Sequence, residues 1–288
     1  MKAAVSFIKR HKALSVYCLL VLLIVLVAVF AGVLAPYSPT EAVLKDAYQP
    51  PSSAHLLGTD FMGRDLCSRI IYGTRASLSS AVLLVAAATV IGGLLGIIAG
   101  SAGGVTDSVI MRLCDTMLAF PDLILAIAIA GILGPGFINT IIAILAVSWT
   151  KYARLARSMV LKIKQRDYIS AAKITGSRAG HILKAYMVPN ALPTLLTTAV
   201  LDIGTTILAV SGLSFLGLGI QPPTPEWGYM LAEGRNYMMT YPWLMIFPGL
   251  AILITVVAFN LLGDSVRDAL DPGRRRKHKK RKNIKRVR

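Results

Sequence analysis

The sequence predicts an all-α, polytopic membrane protein with six transmembrane helices. Its 288 residues are 55% hydrophobic and 16% charged, with a mean hydropathy of +0.64, which is too apolar for an ordinary soluble domain. Three windows, 13–40, 76–106 and 236–263, contain no charged residue. Because a helix crosses the roughly 30 Å hydrocarbon core in about 20 residues, each window is long enough to span a bilayer.

Apolar runs and the loops between them place the six helices along the chain. The expected spans are 13–34, 77–100, 110–133, 138–157, 192–216 and 241–263. A turn at Gly134-Pro135-Gly136 separates the third span from the fourth. The fourth is the shortest apolar run, so Lys151 and Arg154 near its end must reach toward the membrane interface.

The first apolar run follows a basic start, which makes a signal peptide the alternative interpretation. Its apolar core is longer than that of a signal peptide. In addition, Pro36 directly follows Ala35, the only small residue at which cleavage would be expected. The run is therefore interpreted as a retained membrane helix.

The distribution of positive charge predicts the orientation of the chain. With both termini in the cytoplasm, 26 of the 31 Lys and Arg residues lie on the cytoplasmic side and 5 lie outside. This split is a strong positive-inside signal. The net charge of +17 therefore reports topology.

The tail 274–288 is strongly basic, with 11 Lys or Arg in 15 residues, and we expect it to be disordered. A membrane-tethered nucleic-acid binder is one interpretation of such a tail. However, the tail contains no aromatic residue between its charges and adjoins the membrane. Anionic membrane lipid is therefore the expected partner, and nucleic acid is not.

The chain shows no pattern for catalysis, metal binding or nucleotide binding. The three cysteines and four histidines are far apart, so neither a metal site nor a disulfide framework is expected. No GxxxxGK[ST] motif is present, and no Ser–His–Asp or HExxH pattern was found. We therefore expect no catalytic residue and no bound cofactor, and if the protein pumps a substrate, its energy must come from another subunit.

The cytoplasmic segment 160–189 contains a spaced pattern of small residues, a glycine and a proline. Ser170-Ala171-Ala172 is followed after three residues by Gly176, and then by Tyr186-Met187-Val188-Pro189. This segment resembles the EAA loop of ABC-importer permeases, whose pattern is E-A-A, three residues, G, nine residues and I-x-L-P. Here Ser170 replaces the acid, which removes an expected ion pair with the ATPase.

The resemblance implies that this loop is a coupling helix that docks in a groove of an ATPase subunit. The implied coupling residues are Asp167, Ser170, Ala171, Ala172, Gly176 and Pro189. The small side chains of Ala171 and Ala172 permit close approach, and Gly176 permits a bend between two short helices.

Further stretches resemble the dipeptide, oligopeptide and nickel permease family. His55-Leu56-Leu57-Gly58-Thr59-Asp60-Phe61-Met62-Gly63-Arg64-Asp65 is similar to the family's H-P-L-G-T-D-x-x-G-R-D stretch, with Leu56 where proline is usual. Other matching stretches begin at Arg112, Ala119, Leu213, Pro225 and Phe259. The resemblance covers about residues 10–273 and identifies the C-type permease of the family.

Membership of this family implies a type I ABC-importer permease with a MetI-like core and several partners. The expected partners are a second, homologous permease that forms a heterodimer, two ABC ATPases and an extracytoplasmic solute-binding protein. The exterior loops would receive the binding protein. The candidate contacts there are Gly58, Asp60, Arg64, Glu226 and Trp227.

The implied organisation has four parts. Residues 1–12 form the cytoplasmic N-terminus, and 13–75 form the first helix and the exterior loop. Residues 76–273 form the permease core, with the coupling loop at about 160–189. The basic tail occupies 274–288.

Asp202 is the ionisable residue whose place in an apolar run is most costly. One interpretation makes it a path-lining carboxylate that favours a cationic substrate. The other makes it a structural acid bonded to nearby threonines or to an arginine. In the second span, Gly92, Gly93 and Gly96 favour close helix packing.

The substrate expected from the resemblance is a dipeptide, an oligopeptide or nickel. The stretches 149–154 and 201–204 look closer to nickel permeases than to oligopeptide permeases. A self-contained channel or ion-coupled carrier is the alternative class. Such proteins usually show inverted repeats and more buried charge, and neither was found here.

Overall fold

The computed structural model describes residues 12–270, and within this range the chain is helical with no β-strand. The main helices are α1 (Lys12–Val29), α2 (Leu66–Ala102), α3 (Gly104–Leu118), α4 (Asp122–Leu133), α5 (Phe137–Lys164), α6 (Asp167–Ile174), α7 (Val188–Phe215), α8 (Trp227–Gly234) and α9 (Trp243–Leu270). Helix α7 is preceded by a turn at Ala179–Ile182 and a π-helical turn at Leu183–Met187. The basic tail 274–288 and residues 1–11 lie outside the described residues.

Three helical segments are long and apolar enough to cross a membrane: Leu66–Ala102, Ala179–Phe215 and Trp243–Ala269. The pair α3 and α4 would make a fourth crossing if it acts as one span. Helix α1 is apolar but shorter, and α5 carries charged residues along its second half. The helical membrane fold is therefore confirmed, whereas the count of six spans stays a prediction.

The helix expected at 110–133 is broken. Helices α3 and α4 meet at an angle of 90°, and the break contains Pro121, the residue that precedes α4. Proline supplies no backbone N–H and disfavours helical geometry at the residue before it. The prediction of one straight helix here was wrong.

Helix α1 ends at Val29, five residues before the predicted end of its span. Arg75 of α2 donates from Nε to the carbonyl of Ala28 at 3.0 Å and from Nη2 to that of Val29 at 2.8 Å. The last carbonyl groups of a helix have no partner within it, so this arginine satisfies two of them. A separate helical turn, Ala31–Leu34, then continues the chain.

Glycines bring α2 and α5 into close contact. A Cβ atom on Gly92 would overlap the carbonyl oxygen of Trp149, and one on Gly96 would overlap that of Ala153. Gly93, by contrast, would place a Cβ at an ordinary 3.5 Å from Leu195. The expected close packing is thus made by Gly92 and Gly96, where only hydrogen fits between the two backbones.

The spacing of Leu66, Ile70 and Ile71 against Arg64, Ser68 and Arg69 predicts a short amphipathic helix on the membrane surface before the second span, and the structure differs from this prediction. Leu66 begins the 37-residue helix directly, and the carboxylate of Asp65 caps it by accepting a hydrogen bond from the Ser68 amide at 2.7 Å. Ser68 and Arg69 are buried. They face other parts of the protein, so the segment is not an amphipathic helix lying on the membrane.

The buried apolar residues form three clusters along the bundle. One joins α2, α5, α6 and the start of α7. A second lies at the opposite end and joins α1, α2, α8 and α9. The third packs α4 against α5 and α7 between them. Helix α2 contributes to all three clusters.

Candidate functional site

The segment predicted to couple to an ATPase is a short helix anchored on one face only. In α6, Ile169 and Ala172 are buried in the cluster shared with α2 and α5. Ser170 and Ala171 are exposed, and Ile174 at the end of the helix is 87% exposed. The outer face of α6 is therefore not covered by the rest of the described chain.

Gly176 forms the turn after α6. Its φ of +82° is readily adopted by glycine and costs other residues energy. The amide of Ser177 donates to the carbonyl of Ala172 at 2.9 Å, which closes the helix end. The second short helix follows at Ala179–Ile182, so the segment has the expected two helices separated at this glycine.

Pro189 lies near the start of α7, directly after the π-helical turn Leu183–Met187. Proline cannot donate a backbone hydrogen bond to the preceding turn, which fits the wider helical register found there. The charges exposed around the segment are mainly positive. They are Arg166, Lys173, Arg178 and Lys184, with Asp167 as an exposed acid at the start of α6.

The loop between α1 and α2 takes part in a buried network of two arginines and two acids. Arg64 donates from Nε to Asp60 at 2.6 Å and from Nη2 to Glu233 at 3.0 Å. Arg69 donates from Nη2 to Glu233 at 2.8 Å and also pairs with Asp60. All four side chains are at most 11% exposed. The network fastens the loop after α1 and the start of α2 to the end of α8.

Glu226 and Trp227 are also inside the protein. Glu226 is fully buried and caps α8, accepting from the Tyr229 amide at 2.9 Å. It also accepts from Ser77 at 3.1 Å and from Ser211 at 3.3 Å. The indole of Trp227 donates to the carbonyl of Ile70 at 3.1 Å.

The five candidate contacts for a binding protein are therefore buried: Gly58, Asp60, Arg64, Glu226 and Trp227. Their polar groups are occupied by partners within the chain, so these side chains offer no free surface to another protein. The sequence analysis missed Arg69 and Glu233. Only the i,i+4 spacing of Asp60 and Arg64 gave a signal for the network, because Glu233 is distant in sequence.

Asp202 on α7 is paired with a lysine on α5. Lys151 donates from Nζ to both carboxylate oxygens, at 2.6 and 2.8 Å, and Tyr152 donates its hydroxyl to Oδ2 at 2.9 Å. The expected threonine or arginine partner is not found. Thr205 instead donates to the backbone carbonyl of Asp202 at 3.0 Å. The pairing neutralises much of the carboxylate charge.

These charges line a cavity of about 210 Å³ bounded by α2, α4, α5 and α7. Its wall is mostly apolar. The polar groups on it are Asp122, Ser148, Thr150, Lys151, Tyr152, Asp202, Thr205 and Thr206. Within residues 12–270, no group of three or more His, Cys, Asp or Glu side chains could hold a metal ion.

Comparison with known proteins identifies a family. The profile described as "Binding-protein-dependent transport system inner membrane component" matches residues 92–276. The profile of the "N-terminal TM domain of oligopeptide transport permease C" matches residues 3–51.

Individual relatives cover most of the chain. It is 46% identical to a di/tripeptide transport system permease protein of Pseudomonas aeruginosa, over 88% of this chain and 86% of that protein. It is 44% identical to a probable D,D-dipeptide transport system permease protein of Escherichia coli, over 88% and 85%. A nickel transport system permease protein of Escherichia coli is 39% identical, over 92% and 96%.

A solved structure supports the fold. An amino acid ABC transporter chain is similar with a TM-score of 0.53 at 16% identity, covering 71% of this chain and 95% of that one.

Proposed function

The chain belongs to the family of binding-protein-dependent transport system inner membrane components, and from this premise we propose that it is the C-type permease of a small-peptide importer. It would work in a bacterial cytoplasmic membrane with both termini in the cytoplasm. A second permease, two ABC ATPases and a solute-binding protein would complete the importer. ATP would be hydrolysed by the ATPase subunits.

The observation that carries this proposal is the one-sided anchoring of α6. Its buried face, Ile169 and Ala172, joins the same cluster as Ile97 of α2 and Tyr152 of α5. Its outer face and the turn at Gly176 are exposed. A helix held in this way can receive a force from a partner and pass it to the helices beneath it. We therefore assign ATPase coupling to Asp167, Ser170, Ala171, Ala172, Gly176 and Pro189.

A small peptide is the substrate that the contacts of Asp202 favour. A carboxylate facing an open path would attract a divalent cation, but here Lys151 and Tyr152 occupy both of its oxygens. The lysine would repel an approaching metal ion. The physical argument that favoured nickel is thus weakened, and the two peptide-permease relatives are also the more similar in sequence.

We assign the binding-protein contact to exposed apolar residues on the exterior loops. Leu44 is 73% exposed, Leu56 is 63% exposed and Met239 is 91% exposed. The buried set of Gly58, Asp60, Arg64, Glu226 and Trp227 would hold the loops in shape beneath this surface. The alternative class, a self-contained channel or ion-coupled carrier, receives no support from the family or from the relatives.

The coupling role can be tested with two glycines whose φ angles match. Gly176 has a φ of +82° and Gly134 has a φ of +83°, and neither would meet another atom within 4 Å on gaining a Cβ. Because both φ angles are positive, valine at either position strains the backbone, at a cost on the order of 1–3 kcal/mol. We expect Gly176→Val to lower peptide uptake per ATP hydrolysed at least severalfold, and Gly134→Val to preserve that ratio.

The measurement uses the complete importer, with its binding protein, in proteoliposomes loaded with ATP. Assembly of each variant is checked by co-purification of the subunits. Equal coupling ratios for the two valine variants would contradict the assignment of the segment.

A further inference from the structure

The cavity between α2, α4, α5 and α7 contains ionisable groups of both signs. Lys151 and Asp202 form an ion pair across it, and Asp122 lies on its wall. Among the described residues, Asp122 has no hydrogen bond or ion pair. A cavity with an apolar wall and a few convergent polar groups is the usual form of a small-molecule site.

The cavity lies part-way along α5 and α7, away from the end of the bundle at which these two helices meet. The first turn of α5 meets the segment after α7, where Thr140 donates to the carbonyl of Leu218 at 3.1 Å. At 1.5 Å per helical residue, Lys151 is about 21 Å along α5 from Phe137, and Asp202 is about 20 Å along α7 from Phe215. The two charges therefore lie at a similar depth from that end.

The lysine is placed to exchange partners. Its side chain is 58% exposed, whereas that of Asp202 is 15% exposed. An exposed ion pair contributes little net stability, so a competing carboxylate can replace Asp202 at Lys151. Asp202, whose side chain is mostly shielded from solvent, would then need a new cation, because a partly desolvated charge is costly without a partner.

A zwitterion satisfies both requirements at once. Its carboxylate accepts hydrogen bonds from Lys151, and its ammonium group donates to the carboxylates of Asp202 and Asp122. Since a zwitterion carries no net charge, the total charge of the cavity is unchanged by its entry. A bare divalent metal ion, in contrast, would face the lysine and find only two carboxylates.

We propose that this cavity binds the charged ends of a small peptide during its passage, with Lys151 as the carboxylate site and Asp122 and Asp202 as the ammonium site. The inference rests on the peptide-importer function proposed above. The cavity of about 210 Å³ is below the roughly 300–1,000 Å³ of sites for drug-sized ligands. It therefore suits a dipeptide, or one end of a longer peptide.

The test uses dialanine, dialanine amide and N-acetyl-dialanine with the complete importer in proteoliposomes. Each peptide is supplied above its dissociation constant for the binding protein, and each variant is expressed as a fraction of wild-type uptake. We expect Lys151→Gln to lower uptake of dialanine about tenfold relative to the amide, because the amide lacks the carboxylate. Asp122→Asn should lower uptake of dialanine relative to the N-acetyl peptide.

The matched control removes another ion pair from the same helix. Arg157 pairs with Asp107 through two hydrogen bonds of 2.5 and 2.6 Å, and neither residue lines the cavity. The double variant Arg157→Gln/Asp107→Asn should change uptake of all three peptides by one common factor. The same common factor in the Lys151→Gln and Asp122→Asn variants would overturn the proposal, since those charges would then only hold helices together.

A second measurement is used if the wild-type importer transports the capped peptides too slowly for the comparison above. Loss of a substrate contact in Lys151→Gln lowers the maximal rate of dialanine uptake at saturating binding protein, and adding Asp202→Asn, which removes the unpaired carboxylate, does not restore that rate. A purely structural role predicts that the double variant regains both the uptake rate and the Tm of the complex, and that result would overturn the proposal. A wild-type complex that hydrolyses ATP but takes up no peptide would instead refute the peptide-importer function, and the cavity assignment with it.

Discussion

Glu233 holds two guanidinium groups at once, one from the exterior loop and one from α2. Its oxygens accept hydrogen bonds from Arg64 and Arg69 at 3.0 and 2.8 Å, and the three side chains are between 3% and 11% exposed. Removing one member of a buried charge network leaves its partners without compensation. Glu233 therefore contributes to the stability of the fold and to the conformation of the loop.

We expect Glu233→Gln to lower the free energy of unfolding by about 3 kcal/mol, because two buried arginines then share only Asp60. Thermal unfolding of the purified complex measures this as a lower Tm. The control is Glu41→Gln, which removes an exposed carboxylate from the same exterior loop. Equal Tm values for the two variants would show that Glu233 contributes no more than a surface charge.

At the scale of residues, some features of the candidate site could be predicted from sequence and others could not. Asp202 stands out because an acid within an apolar run is costly, and the structure places it on a cavity wall. Its partner Lys151 could not be assigned, because pairing between residues on two separate helices has no local signal. Glu226 could be singled out because it lies in a recognisable motif. Its burial could not be predicted, because its hydrogen-bond partner Ser77 is distant in the chain and its other partner, Ser211, carries no pattern.

At the scale of helices, contact between α2 and α5 depends on the absence of a side chain at two glycines. Within a helix, replacing glycine by alanine normally favours the helical state by about 1 kcal/mol. At Gly96 the added methyl group would overlap the carbonyl of Ala153, whereas at Gly131 on α4 it would meet nothing within 4 Å.

We therefore expect opposite effects from two identical substitutions. Gly96→Ala should lower the Tm of the complex, since overpacking typically costs about 1–3 kcal/mol. Gly131→Ala should leave the Tm unchanged or raise it slightly. Differential scanning calorimetry of the purified variants measures both Tm values. A Tm for Gly96→Ala at or above that of wild type would mean that α2 and α5 can move apart without loss of stability.

Helix positions followed from the sequence wherever apolar runs and turn residues agreed. The predicted span 192–216 matches α7 closely, and the span 241–263 matches the start of α9, which continues to Leu270. The C-terminal end of α1 and the bend between α3 and α4 were not predicted from the sequence. The first depends on Arg75 reaching the carbonyls of Ala28 and Val29, and the second on Pro121 interrupting an otherwise apolar run.

At the scale of the whole molecule, the strongest charge asymmetry lies in the tail 274–288. We expect truncation after Pro272 to retain most peptide uptake. Each Lys or Arg near an anionic membrane surface contributes about 1 kcal/mol of attraction, which serves anchoring and orientation. Uptake by the reconstituted truncated complex tests this, with subunit assembly verified in parallel. Loss of uptake in a correctly assembled complex would indicate that the tail has a specific partner.

The 37 residues of α2 form one unbroken helix, about 56 Å long at 1.5 Å per residue. Near one end, Arg69 is fastened to the exterior ion network. Toward the other, Ile97 packs in the same cluster as the anchor of α6. A helix resists compression along its axis, so α2 can transmit a displacement between its two ends as a rigid element. In the importer proposed above, a displacement at the ion network would therefore reach the anchor of α6 without any intermediate refolding of the chain.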